Sequence, residues 1–382
     1  MSDLVAGDGT DPIDSRLAGT GVPRGRWVWH RHALGLAASP VPSFVALLAG
    51  VALGPDGLGV LTPRVLQAVE PVVAAMTVAM GMLIGLEVDL RRPGAPRLLA
   101  GASVQSGITF VVVGAAVSLA ARMAGWEWAA AWYVPLLLGV AAASSATRPR
   151  GDDDVSLAAR LGDLDDLLPM VIGAVILASA AGRSVAGGLF VLGLTTALAV
   201  AIAVAGSLLV SGSSSEGESR VYAAASVLLA SGLAASLSAS TLFVGAVVAY
   251  TWNQTSERAR DSLAQDVRYL QHPIVVLVLV LAGAEASTST PVLVLALLVA
   301  LVRVACKLAG GRLASTLFVP GLDRWFGLRL AAPGAAGLAA VLMVVHVTHI
   351  ATVSEPILGI AVWGAILSDI LALLLTPAEA RL

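Results

Sequence analysis

The chain is 382 residues long, 57% hydrophobic and only 13% charged, with a formal charge of −2 and a mean hydropathy of +0.88. Soluble domains are about 45–50% apolar and about 25% charged, so a soluble enzyme carrying one anchor is excluded. The near-neutral balance and the lack of a basic stripe exclude a nucleic-acid partner, and the single cysteine, Cys306, excludes a disulfide framework.

Residues 1–40 hold acidic, glycine-containing and then basic sequence ending in RGRWVWHRH, without a long apolar run. They predict a disordered cytoplasmic leader, neither a signal peptide nor a span. A membrane domain is expected over 41–378 and a short cytoplasmic tail over 379–382. Apolar blocks of about 20 residues suffice to cross a hydrocarbon layer of about 30 Å. Such blocks and their polar breaks predict about twelve spanning helices. Their limits are 41–60, 66–88, 98–122, 128–147, 155–180, 185–210, 221–236, 238–252, 272–286, 290–310, 329–349 and 355–377. The seventh and eighth share one block, divided near 236–240.

Charge placement supports this map. With a cytoplasmic N-terminus, the loops on that side carry Arg91, Arg92, Arg97, Arg148, Arg150, Arg220, Arg258, Arg260, Arg268, Arg312 and Arg324. The other side carries only Arg64, Arg122 and Arg183, the asymmetry that the positive-inside rule requires. Both termini are then cytoplasmic, in a multi-pass protein of the plasma membrane. Trp27, Trp29, Trp126, Trp128, Trp252 and Trp325 fall near predicted helix ends, where amphipathic rings favour the lipid–water boundary.

Ionisable residues inside spans are the informative ones, because each costs at least about 2.5–3.5 kcal/mol at the bilayer centre. The fifth segment carries Asp163, Asp165 and Asp166 in LGDLDDLLPM. Adjacent Asp165 and Asp166 point about 100° apart on a helix, so they serve different partners. Their mutual repulsion is relieved when one takes up a proton or a small hard cation, and that competition is the chemistry of antiport. The bland reading is a structural salt bridge to the tenth segment. Asp163, three residues from Arg160, reads as half of an interfacial pair.

The tenth segment carries Arg303 and Lys307, one turn apart; Lys307 is the only lysine in the chain. A buried ammonium needs a carboxylate partner. Snorkelling to the surface is the alternative for Lys307, while pairing with an aspartate is favoured for Arg303. In the fourth segment, Ser144, Ser145 and Thr147 beside Pro149 read as a broken helix that leaves hydroxyls and carbonyls for an ion, or as a plain capped helix end. RLAAPGAAG interrupts the eleventh segment, and paired interruptions in the two halves are the mark of an inverted repeat. His346 and His349 share a face near the far end of the eleventh segment, as pH sensors or as wetted interface residues. Asp369, in the twelfth segment, has no evident partner in the sequence, and Glu70 lies near the start of the second. Glu87 and Asp89 read as interfacial. No zinc cluster, phosphate loop or nucleophile elbow occurs, so neither an enzyme nor a cofactor is expected.

Five stretches together resemble bacterial monovalent cation/proton antiporters of the sodium/proton and potassium-efflux type. They are PVPSFVALLAGVALGPDGLGVL, LIGLEVDLRRPGAPRLL, LLASGLAASLSASTLFVGAVVA, HPIVVLVLVLAGAEAS and LRLAAPGAAGLAAV. The likeness runs over roughly residues 40–378. It implies an all-α fold of two inverted repeats with broken crossing helices in the fourth and eleventh segments, a dimerisation domain and a moving core. It implies that Asp166 is the main ion and proton carboxylate, that Asp165 pairs a basic residue of the tenth helix, and that exchange is electrogenic. It also implies a homodimer in the lipid bilayer. The chain departs from the family's pattern in lacking the usual first helix, in Pro169 following the aspartates closely, and in SSATRP placing Arg148 in the fourth helix.

The expected function is therefore exchange of Na⁺ or K⁺ for H⁺ by alternating access. The alternatives are sodium-coupled transport of a small organic anion read by Arg303, and a transport-inactive membrane sensor of the same fold.

Overall fold

Three helix starts use the same device. Thr62, Ser184 and Ser215 each hold an extended backbone and accept a bond from the amide three residues on, at Val65, Gly187 and Glu218. Each cap satisfies one amide that the first helical turn leaves open. The computed structural model describes residues 43–88, 95–126, 131–146, 161–162, 164–180, 184–255, 257–318, 325–348 and 351–375. Within these, only the backbone is described for 257–266, 268 and 351–355. Among the described residues all regular structure is helical.

The helices are α1 (Ser43–Leu53), α2 (Pro63–Glu87), α3 (Ala95–Ala124), α4 (Tyr133–Ala143), α5 (Leu167–Ala180), α6 (Val185–Gly212) and α7 (Glu216–Ser236). There follow α8 (Thr241–Thr255), α9 (Glu257–Ala284), α10 (Thr290–Leu317), the single turn α11 (Phe326–Arg329), α12 (Ala335–Thr348) and α13 (Ala351–Leu375). A described helix lies on every predicted segment. The division between the seventh and eighth falls at residues 237–240, where Ser238 takes a left-handed φ of 50°.

By length and composition α2, α3, α6, α10 and the Pro356–Leu375 part of α13 can each cross a membrane, and α1, α4, α5, Tyr269–Ala284 and Ala335–Val347 are shorter apolar helices. The outward faces are apolar too: α6 exposes Leu189, Phe190, Leu208 and Leu209. In water such a surface is unfavourable, whereas in lipid it costs nothing. The chain is a multi-pass membrane protein.

Two helix pairs approach unusually closely. A Cβ built on Gly81 of α2 falls 1.9 Å from the Leu242 carbonyl of α8, and one on Gly245 falls 2.0 Å from the Val78 carbonyl. Gly50 of α1 and Gly283 of α9 meet in the same way, against Val280 O and Leu47 O. Small residues let backbones pack where lipid offers no hydrophobic drive for association.

One sequence expectation is corrected here, and one predicted segment is interrupted. Trp252 is fully buried, and its indole Nε1 donates to the Ala203 carbonyl of α6 at 2.6 Å, so the ring fills the interior rather than the lipid boundary. The fifth segment is not one uninterrupted helix. Helix is present at 161–162 and 164–165, a turn falls at Asp166, and α5 starts afresh at Leu167. Pro169 is the cause: lacking an N–H, it cannot bond the Asp165 carbonyl, and its ring clashes with that carbonyl in a continuous helix. In the first turn of a new helix the same proline is tolerated.

Candidate ion site

The site is built where two chain breaks meet. Helix α4 stops at Ala143, and residues 144–146 run extended; residues 330–334 separate α11 from α12. The two stretches pair antiparallel at Ser145 and Pro333, with Ala146 N donating to Ala332 O at 3.0 Å and Gly334 N to Ser144 O at 3.4 Å. Each break thus satisfies backbone groups that the other leaves open, as buried irregular backbone must. The approach needs glycine. A Cβ on Gly334 would fall 2.1 Å from Ser144 Oγ, and one on Gly337 would fall 2.6 Å from Ser144 Cβ.

The breaks place α4's last carbonyls, the negative end of its dipole, against the cations of α10. Lys307 Nζ donates to Ala143 O at 2.5 Å. Arg303 Nη2 donates to Ser144 O at 2.7 Å and to Ala332 O at 3.1 Å, and its Nη1 to Ser368 Oγ of α13 at 3.2 Å. Arg303 therefore clamps both breaks at once.

The aspartates sit against this crossing, both buried. Asp165 Oδ2 accepts from Lys307 Nζ at 2.7 Å and from Ser145 Oγ at 2.5 Å; Lys307 Nζ also donates to Ser145 Oγ. Asp166 Oδ1 accepts from Ser144 Oγ at 2.6 Å and from Ser145 N at 3.1 Å. Among the described residues Asp166 Oδ2 takes no hydrogen bond, and no cation of the protein pairs with Asp166. Ser144 Oγ in turn accepts from Gly337 N at 3.0 Å, linking Asp166 to the first turn of α12. Asp166 also heads α5, where the helix dipole favours a negative charge.

The structure thus brings Asp165, Asp166, Ser144, Ser145, Arg303 and Lys307 together; Thr147, Asp163 and Arg148 lie outside the described residues. The two cations divide the work. Lys307 makes the ion pair with Asp165. Arg303 makes no ion pair with Asp165 or Asp166: its guanidinium holds the Ser144 and Ala332 carbonyls and the Ser368 hydroxyl. The alternative of Lys307 snorkelling to the surface is set aside, since its side chain is wholly buried.

No family model and no curated protein matches this sequence. Among solved structures the chain is similar to the sodium proton antiporter MjNhaP1 of Methanocaldococcus jannaschii, with a TM-score of 0.64 at 16% identity over 90% of this chain and 93% of that one. The chain has the fold of a sodium proton antiporter.

Within that fold the sequence reading missed Gln105 of α3. With its amide assigned from the surrounding donors and acceptors, the nitrogen donates to Asp165 Oδ1 at 2.5 Å and the oxygen accepts from Lys307 Nζ at 3.1 Å. Gln105 therefore ties the ion pair together from a third helix. The signal was present, since an amide in the middle of an apolar span needs partners. Room for it comes from Gly310 of α10, where a Cβ would meet Gln105 Cγ at 3.0 Å.

Proposed function

We propose that the chain exchanges a monovalent cation, Na⁺ or K⁺, for protons across the plasma membrane, with both termini cytoplasmic and as a homodimer in the bilayer. The observation that carries this reading is the unequal treatment of two adjacent buried carboxylates. Asp165 is neutralised within the protein by Lys307, while among the described residues Asp166 keeps an oxygen without a hydrogen bond and has no cation paired with it. A buried carboxylate left so is stabilised by a proton or by a small hard cation, each displacing the other. The likeness of fold to a sodium proton antiporter supports the same reading.

Asp166 is then the carboxylate that alternates between cation and proton, and the Ser144 hydroxyl supplies a further oxygen. Asp165 and Lys307 form a pair that opens when Asp165 is called on as a ligand, which permits more than one proton per cation. Alternating access follows if the crossing and its helices move as one body against α1, α2 and α9. The competing reading, in which Arg303 receives a small organic anion, is disfavoured because both its Nη atoms are bonded to the protein.

The test is proton movement in proteoliposomes on addition of Na⁺, K⁺ or Li⁺ outside. Wild type is expected to release protons with one of them, and Asp166→Asn to release none. Transport by Asp166→Asn at the wild-type rate would overturn the proposal.

A further inference from the structure

Away from this site, two ionisable side chains meet. His346 Nε2, near the end of α12, lies 3.3 Å from Glu285 Oε1, just past the end of α9, and Glu70 of α2 also acts on it electrostatically. His349 and Glu355 lie outside the described side chains. The His346 and Glu285 side chains keep 25% and 19% of their surface.

The tautomer is fixed by geometry. His346 Nδ1 lies 2.7 Å from the Leu342 carbonyl, which can only accept, so Nδ1 carries a hydrogen in either charge state. The nitrogen that titrates is then Nε2, the one facing Glu285. Protonated, it donates to the carboxylate across the helix boundary; deprotonated, it presents a lone pair to a negative charge.

Its position gives it leverage. Helix α12 begins at the crossing, where Gly337 N bonds Ser144 Oγ and Ser144 bonds Asp166. His346 lies about 13 Å further along the same helix at 1.5 Å per residue. Helix α9 is locked backbone to backbone on α1 through Gly50 and Gly283.

We propose that His346 and Glu285 form a second proton-binding site that fastens α12 to the end of α9 when His346 is protonated and frees it when it is not. Acid on the His346 side closes the latch and restrains the helix that carries the crossing; alkali releases it. The coupling to transport rests on the exchange reading above, whereas the latch itself does not.

The test titrates the histidine imidazoles of ¹⁵N-labelled, detergent-purified protein, with His346→Gln identifying the signal. Glu285→Gln is expected to move the His346 titration about one pH unit toward acid, since the ion pair that held the proton is gone. In proteoliposomes, stepping the pH on the His346 side is expected to slow wild-type exchange at least about threefold on the acid side, to leave His346→Gln unresponsive, and to shift the response of Glu285→Gln together with its titration. An unmoved titration, or a moved titration with the wild-type flux response, overturns the latch and leaves a surface ion pair. Should wild type exchange nothing at any pH, the exchange reading falls, and amide hydrogen exchange in the last turn of α12 decides the latch. Protection lost in step with imidazole deprotonation, and insensitive to pH in His346→Gln, supports it; constant protection in wild type overturns it.

Discussion

Lys307 Nζ stands 2.7 Å from Asp165 Oδ2, and both side chains are completely buried. Removing one partner of such a pair leaves an uncompensated charge and costs about 3–5 kcal/mol, whereas neutral replacement of both costs far less. Lys307→Ala is therefore expected to lower the melting temperature sharply, and the double variant Lys307→Ala/Asp165→Asn to recover most of it. A double variant no more stable than Lys307→Ala refutes the pairing.

The two serines of the break are expected to separate by function. Ser144→Ala removes a donor from Asp166 and an acceptor from Gly337 N, at about 1–3 kcal/mol for the unsatisfied groups. It should raise the cation concentration giving half-maximal exchange by about tenfold, because a 1.4 kcal/mol loss at Asp166 is tenfold in binding. Ser145→Ala removes its hydroxyl from Asp165 and Lys307 but keeps the amide that bonds Asp166. Its effect should therefore appear chiefly in the melting temperature, with the half-maximal concentration within about threefold of wild type.

Gln105 offers a test with a defined pH sign. Gln105→Leu should cost about 1–3 kcal/mol through the donor that Asp165 loses. In Gln105→Glu the new carboxyl replaces the donated bond only while protonated, and as a carboxylate it repels Asp165. Its melting temperature, relative to wild type, is expected to fall between about pH 6 and about pH 8. A constant difference across that range would show that Gln105 does not face Asp165.

Gly334→Ala and Gly337→Ala both drive a methyl group into Ser144. They are expected to abolish exchange while the far-ultraviolet spectrum stays helical, because the clash displaces the crossing and not the helices. Gly193→Ala of α6, where a Cβ meets nothing within 4 Å, is the control and should behave as wild type.

Arg303→Lys keeps the charge and loses the fork. A single ammonium cannot reproduce the bonds that the guanidinium makes to Ser144 O, Ala332 O and Ser368 Oγ. Each bond to a charged group is worth about 1.5–3 kcal/mol, so thermal denaturation should reveal a loss of at least one such bond. Wild-type stability in Arg303→Lys would remove its role as the clamp of the two breaks.

Hydropathy and the scarcity of charge were enough to locate the membrane helices, because crossing a bilayer is a demand made on each segment separately. The same scarcity singled out Asp165, Asp166, Arg303 and Lys307, since an ionisable group is costly in any span whatever its neighbours. Serines beside a proline, and a Pro/Gly interruption, marked the two breaks for the same local reason.

Partner choice was decided only by the tertiary structure. Asp165 and Lys307 are 142 positions apart, and one helical turn of α10 separates a lysine that neutralises Asp165 from an arginine that clamps carbonyls. No local pattern encodes that turn's rotation toward α4 and α5, which is set by helix packing. Gln105 and Trp252 were misjudged for a related reason: a polar atom in a span needs a partner, and its partner was always on another helix.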